Sequence, residues 1–204
     1  LIHEKQKLNN NVFDIWIPNQ EICNIQLLKM LKRNLFIFSN GYILLKLIEK
    51  ISRYLKFFSI HLIKPYIGPA RLDRGKCVIR LTKEEIDKGN KMLKKFRIPK
   101  NAKIICFSVR DNMYLKKKFP NKNFSYHLYR NSSVKNFLPT IKFLIKKNFY
   151  VVRMGQISAE KVNFKHKKFI DYPFNNNKSD FMDFFFAYKC YFWICGCTGI
   201  DEIA

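Results

Sequence analysis

Apolar residues fall along this chain in short runs separated by longer stretches at helical spacing, and the alternation is clearest after residue 80. Ile104, Ile105, Cys106, Phe107 and Val109 form a run too short for a helix, closed by Arg110-Asp111; it reads as a buried strand. Phe149–Val152 is a second such run and again meets an arginine, in Arg153-Met154-Gly155. Phe169–Tyr172, ended by Pro173, and Tyr191–Ile194 read as two more strands. Between them lie predicted helices. One covers Thr82–Phe96, with Thr82 and Glu85 at capping-box spacing. Another has its main part at Pro139–Lys146, after a short turn capped by Ser133. A third is capped by Ser179 or Asp180 and runs to about Tyr188, and a further helix starts near Ile200. The polar, aromatic segment Asp111–Asn131 has no clean period and reads as a long loop.

The first third repeats the pattern less cleanly. Val12–Ile17 and Leu35–Phe38 read as strands, and Glu21–Leu35 as a helix. Leu44–Lys64 is amphipathic, with Leu44, Leu47, Ile48, Ile51, Leu55 and Phe58 opposite Lys46, Lys50, Arg53 and Lys56. Such a helix is either a surface helix with a solvated basic side or one that lies on an anionic membrane. The stretch 64–76, with two prolines and two glycines, is a candidate linker. The expected organisation is a partial N-terminal α/β unit over 1–75 and a second domain over 77–204.

Strands alternating with helices from Thr82 onward imply an α/β fold with a doubly wound, largely parallel sheet. Parallel strands would bring Arg110, Arg153, Tyr172 and the Gly196–Gly199 turn to one edge, the edge at which such sheets bind ligands. Cations, a glycine-containing turn and a helix N-terminus suit a diphosphate. Each part has a plainer reading as well. Arg153 can pair with Asp171 or Asp180, Asp180 and Asp183 can be ordinary charge at a helix N-terminus, and the glycine turn can be structural. The spacing of the last turn matches neither the P-loop nor the dinucleotide fingerprint.

Composition alters this picture little. The formal charge of +24 favours anionic ligands. Thirty lysines to nine arginines, with abundant Asn, Ile and Phe, is also what A/T-rich codons produce. Nucleic acid is therefore disfavoured as a partner, since base and phosphate readers lean on arginine. The six cysteines lack zinc spacing and read as reduced thiols in a cytoplasmic protein; no metal site is expected. The chain opens on Leu1 and stops at Ala204 just after a turn, as a fragment would. No signal peptide is visible, and Asn34–Leu45 is too short to span a bilayer.

Three blocks carry a family resemblance: CFSVRDNMYL from Cys106, HLYRNSSVKNFLPTIKFLIKKNFYVVRMG from His127, and KSDFMDFFFAYKCYFWICGCTG from Lys178. Together with Cys23–Arg33 they resemble a bacterial glycosyltransferase family. More distantly the chain is similar to nucleotide-sugar fucosyltransferases of the two-domain GT-B type. The resemblance implies a Rossmann-like donor domain in the second half and part of an acceptor domain in the first. Carried over by position, Arg110 and Arg153 face the donor phosphates, with Asp111 and Gly155 beside them. Ser179, Asp180 and Asp183 lie near the nucleotide or its ribose, and Gly196, Thr198 and Gly199 form the phosphate-side turn. Cys197 departs from the family, which has a small hydroxyl residue there.

The activity implied is sugar transfer from a nucleotide-sugar to a glycan or lipid-linked acceptor, with no cofactor beyond the donor. No carboxylate cluster suited to Mg²⁺ stands out in the sequence, so Arg110 is the expected stabiliser of the leaving diphosphate, supported by Arg153. His127 and Asp111 are candidate acceptor bases. The rival class is a basic module that binds RNA or an anionic membrane without catalysis; the expected location is cytoplasmic, with peripheral contact at the inner membrane left open.

Overall fold

The computed structural model describes residues 15–18, 22–55, 79–194, 196, 198–201 and 204. The chain divides into two compact units, Leu1–Arg80 and Leu81–Ala204. In the first, β1 (Ile15–Trp16) and β2 (Phe36–Ile37) pair in parallel, with α1 (Ile25–Leu31) between them in the chain. Asn24 starts α1 by accepting the Leu27 amide on its side chain at 2.9 Å. Then α2 (Tyr42–Ser52) follows Gly41. The expected helix to Lys64 and the linker at 64–76 lie outside the described residues beyond position 55.

The second unit begins with α3 (Lys83–Leu93), whose capping box is complete. The Glu85 amide donates to the Thr82 hydroxyl at 3.2 Å, and the Thr82 amide donates to the Glu85 carboxylate at 2.9 Å. The central strand β3 (Ile104–Ser108) leads to α4 (Met113–Lys118), two 3₁₀ turns, and α5 (Leu138–Lys146). Next come β4 (Tyr150–Met154), β5 (Phe169–Asp171), α6 (Asp180–Lys189) capped by Ser179, and β6 (Phe192–Ile194). The turn from Val134 to Phe137 precedes α5 as Pro139 and Ser133 require, since proline is tolerated only in the first turn of a helix.

The segment Asp111–Asn131 is more ordered than its lack of period suggested. It forms α4 and the 3₁₀ turn Ser125–Arg130. Its aromatic side chains meet one another: Phe119 with Phe124, Phe124 with Tyr126, and Tyr126 with His127 at ring separations of 4.1–6.4 Å. Contacts between rings, rather than an apolar stripe, fix this segment.

All four strands of the second unit are parallel, in the order β5-β4-β3-β6. Two cores result, one on each sheet face. Ile104, Cys106, Val152, Met154 and Ile170 point to α3 and α6 and meet Leu93, Met182, Phe185 and Phe186. Ile105, Phe107, Val109 and Val151 point the other way, to Val134, Ile141, Leu144 and Val162. Period-2 alternation in β3 thus divides one uninterrupted apolar run between two layers. The fold is α/β, with a parallel sheet covered on both faces.

Gly89 lets α3 and α6 approach. A Cβ there would sit 2.0 Å from the ring of Phe185, which is wholly buried, so the ring or the helix must shift. Gly89→Ala should therefore lower stability by about 1–3 kcal/mol despite alanine's better helix propensity. Chemical denaturation checks this, and an unchanged or raised midpoint would show that the helices can part without cost.

Candidate functional site

Numbered within the second unit, the strand order is 3-2-1-4. The chain leaves the centre in one direction from β3 to β5 and then returns to the other side as β6. That reversal falls between β3 and β6, and ligands of open parallel sheets bind outside the carboxyl ends of the strands at such a point. The geometry there is tight. Ser108, the last residue of β3, is buried, and its hydroxyl accepts both the Trp193 indole N–H and the Gly196 amide at 3.2 Å. A Cβ on Gly196 would lie 2.5 Å from the Ser108 carbonyl oxygen and 3.4 Å from the Arg110 nitrogen. Glycine is required here because two backbones touch.

Arg110 stands one residue beyond Val109 at this junction and is partly exposed. Its carbonyl accepts the Ser132 amide at 3.0 Å, which ties the turn to the start of the α5 segment. Asp111 is a clamp. One carboxylate oxygen accepts the Met113 amide at 3.0 Å and the other accepts the Ala159 amide at 2.9 Å, so the loops after β3 and β4 are joined. Both oxygens thus already carry a backbone bond, which makes Asp111 a poor candidate for a base. His127, the other candidate base, packs its ring on Tyr126 in the 3₁₀ turn.

Arg153 is placed otherwise than the sequence suggested. It lies inside β4, opposite Phe107 and Asp171, with its side chain only 1% exposed. The guanidinium donates to the Glu160 carbonyl at 2.6 Å and to the Asp171 carboxylate at 3.3 Å. Asp171 in turn accepts the Val162 amide at 2.8 Å. The chain after Gly155 folds back over the side of the sheet that Arg153 faces and closes it off. The pairing with Asp171 is the plainer of the two readings of this residue, and it turns the Arg153 guanidinium into the interior.

The rim continues after β4 and β5. Gly155 turns with φ +151°, a conformation that residues with side chains rarely adopt. Lys178 donates to the carbonyls of Gln156 and Pro173, both at 3.0 Å, bracing these two loops together. Tyr172 is fully buried, and its hydroxyl donates to the Ser179 carbonyl at 3.0 Å while accepting the Ser179 amide at 2.9 Å. The Ser179 hydroxyl accepts the Met182 amide at 3.3 Å and caps α6, which places Asp180 and Asp183 in the first turn of that helix. Burial pushes the Asp183 carboxyl up from 3.8 to about 6, with the Asp180 charge adding to the rise and the Tyr172 hydroxyl and Lys178 opposing it. Tyr172 is itself held above its usual value, chiefly by burial and then by the Asp183 charge.

Past β6, Thr198 donates from its amide and its hydroxyl to the two carboxylate oxygens of Asp201, at 3.1 and 3.2 Å. Among the described residues no atom lies within 4 Å of the Cβ position of Gly199. Cys195 and Cys197 are outside the described residues. Sequence reasoning missed Ser108, Glu160 and Lys178. Ser108 had a signal, as the one hydroxyl in an otherwise apolar strand; Glu160 acts through its own backbone carbonyl, and the Lys178 ammonium meets the carbonyls of two other residues, pairings that no motif reports. An open depression of about 500 Å³ lies elsewhere, lined by Lys161–His166, Phe169 and Asp171. Among the described residues no three His, Cys, Asp or Glu side chains gather as metal ligands.

No protein-family model, curated protein or solved structure matches this chain.

Two predictions follow from the buried groups. Arg153→Met should cost about 3–5 kcal/mol, because it leaves the Asp171 carboxylate unpaired in the interior. A denaturation midpoint equal to wild type would return Arg153 to the ligand-facing set. For Asp183, the native protein holds the proton to higher pH than the unfolded chain does. Its stabilising contribution is full below pH 3.8 and is lost as pH rises through about 6, by up to about 3 kcal/mol. The stability of Asp183→Asn relative to wild type should accordingly grow across that interval; thermal melts over the pH series that run parallel would contradict it.

Proposed function

We propose that Leu81–Ala204 is the nucleotide-sugar-binding, Rossmann-like half of a glycosyltransferase of GT-B type, with Leu1–Arg80 contributing to the acceptor side. The observation that carries this reading is the position of Arg110. It follows the central strand at the one point where the strand order reverses, beside a turn whose backbone is brought close by Gly196. A diphosphate set there would meet a guanidinium able to bind it in bidentate fashion.

Sugar transfer leaves negative charge on the departing diphosphate while the anomeric carbon becomes cation-like. Fixed donors aimed at that charge lower the barrier because they need not reorganise as it develops. Arg110 takes this role. Asp111 holds the turn that carries Arg110 by its two backbone bonds. Arg153 supports the site only indirectly, by fixing the loop after β4 through Glu160. Ser179, Asp180 and Asp183 stand at the N-terminus of α6, on the nucleotide side. The Gly196 and Thr198 amides are already given to Ser108 and Asp201, so the turn after β6 shapes the phosphate end of the site by its close backbone and not by these two donors.

The experiment is binding of UDP and GDP, and turnover of their sugar conjugates, in the presence of EDTA. Arg110→Ala should lose on the order of a hundredfold in turnover, equivalent to about 3 kcal/mol of transition-state stabilisation, with its melting temperature kept. Arg110→Lys should recover part of the loss, since it restores charge without the planar fork. Rates unchanged by either substitution would remove Arg110 from the reaction.

A further inference from the structure

In the first unit, α2 is amphipathic, and its apolar stripe faces outward. At helical spacing Ile43, Leu44, Leu47, Ile51, Tyr54 and Leu55 share one arc along α2 and the turn that follows it. All are exposed, Ile43 and Tyr54 by 82% and 81% and Leu47 by 53%. Leu45 and Ile48, a quarter-turn away, are the partly covered apolar positions. No residue of the helix is buried. An ordinary surface helix turns its apolar arc inward; this one presents most of it to the outside.

The border of the stripe says what covers it. Lys46, Lys50 and Arg53 lie along the polar arc, and the one acidic residue of the helix, Glu49, is paired with Lys46 at 2.9 Å. A second copy of the chain would bring like-charged borders together, each on a molecule of formal charge +24. An anionic surface with an apolar interior satisfies both parts of the helix. We propose that the outward stripe of α2 docks this chain on an anionic lipid bilayer, the helix lying in the plane of the interface. The apolar side chains enter the acyl boundary while Lys50 and Arg53 reach the headgroups along their aliphatic stems. Among the described residues no helix is long and apolar enough to cross the membrane, so the helix lies on it and does not span it.

This inference does not depend on the donor site, and Arg110→Ala should dock as wild type does. The test is flotation of the full chain with vesicles of phosphatidylcholine alone and of phosphatidylcholine mixed with phosphatidylglycerol. Wild type should float with the mixed vesicles only. Lys50→Gln with Arg53→Gln should weaken binding on the order of twentyfold, about fivefold for each cation. Ile43→Gln with Leu47→Gln should abolish it, at exposed positions where far-UV circular dichroism stays unchanged. Hydrogen exchange of unmodified protein should slow over Tyr42–Ser52 when mixed vesicles are added. Three results would overturn the proposal: no flotation of wild type, flotation indifferent to Ile43→Gln with Leu47→Gln, or exchange over Tyr42–Ser52 unchanged by vesicles. A dimer in sedimentation velocity that the apolar pair of substitutions dissociates would assign the stripe to a second copy instead.

Discussion

The second unit depends on the complete burial of β3. All five of its residues are enclosed, and it is hydrogen-bonded on one side to β4 and on the other to β6, both parallel to it. A strand in that position needs apolar cover above and below, which α3 and α6 supply on one face and α5 on the other. It also needs neighbours of like direction, which sends the ends of β3, β4, β5 and β6 to a single edge. The candidate site is a by-product of that arrangement. Because β6 lies beside β3 across the reversal of strand order, the turn after β6 is pressed against Ser108, and only glycine fits at position 196.

Two arginines stand near the carboxyl ends of two adjacent strands, and the structure treats them differently for a geometric reason. Arg153 is the fourth residue of β4, still within the ladder, so its side chain must enter one of the two covered layers. A guanidinium there is costly unless paired and hydrogen-bonded, and Asp171 and the Glu160 carbonyl meet that need. Arg110 lies two residues past the end of β3, beyond the ladder, and keeps partial access to the rim. In register Arg153 lies opposite Phe107, so three positions separate the enclosed cation from the one beyond the ladder. The carboxylates divide similarly. Asp111 is occupied by two backbone amides and Asp171 by one amide and the Arg153 guanidinium, whereas burial in the first turn of α6 pushes the Asp183 carboxyl up to about 6.

The units also differ in where their apolar surface goes. In the second, each helix that packs on the sheet gives its apolar side to a core. In the first, α2 leaves its apolar side open and its basic residues beside it. Binary patterning is the same in the two cases; what differs is whether the described residues supply a covering layer.

Much of the architecture was legible in the chain. Short apolar runs located β3 to β6, the Thr82–Glu85 spacing located the start of α3, and Ser179 and Pro139 located the starts of α6 and α5. These are local signals, set by hydrogen-bonding and steric rules that operate within a few residues. The alternation of elements also implied a parallel sheet, and with it the common rim. Strand order was not available from sequence, because it depends on which strands meet across the sheet, and neither was the direction in which α2 turns its stripe. Nor could the chain distinguish Arg110 from Arg153. Each follows an apolar run, and the distinction rests on where the ladder ends and on a loop, Gly155–Val162, that folds back over one of them. Local pattern decides what each segment becomes, and long-range packing decides which side chains it encloses.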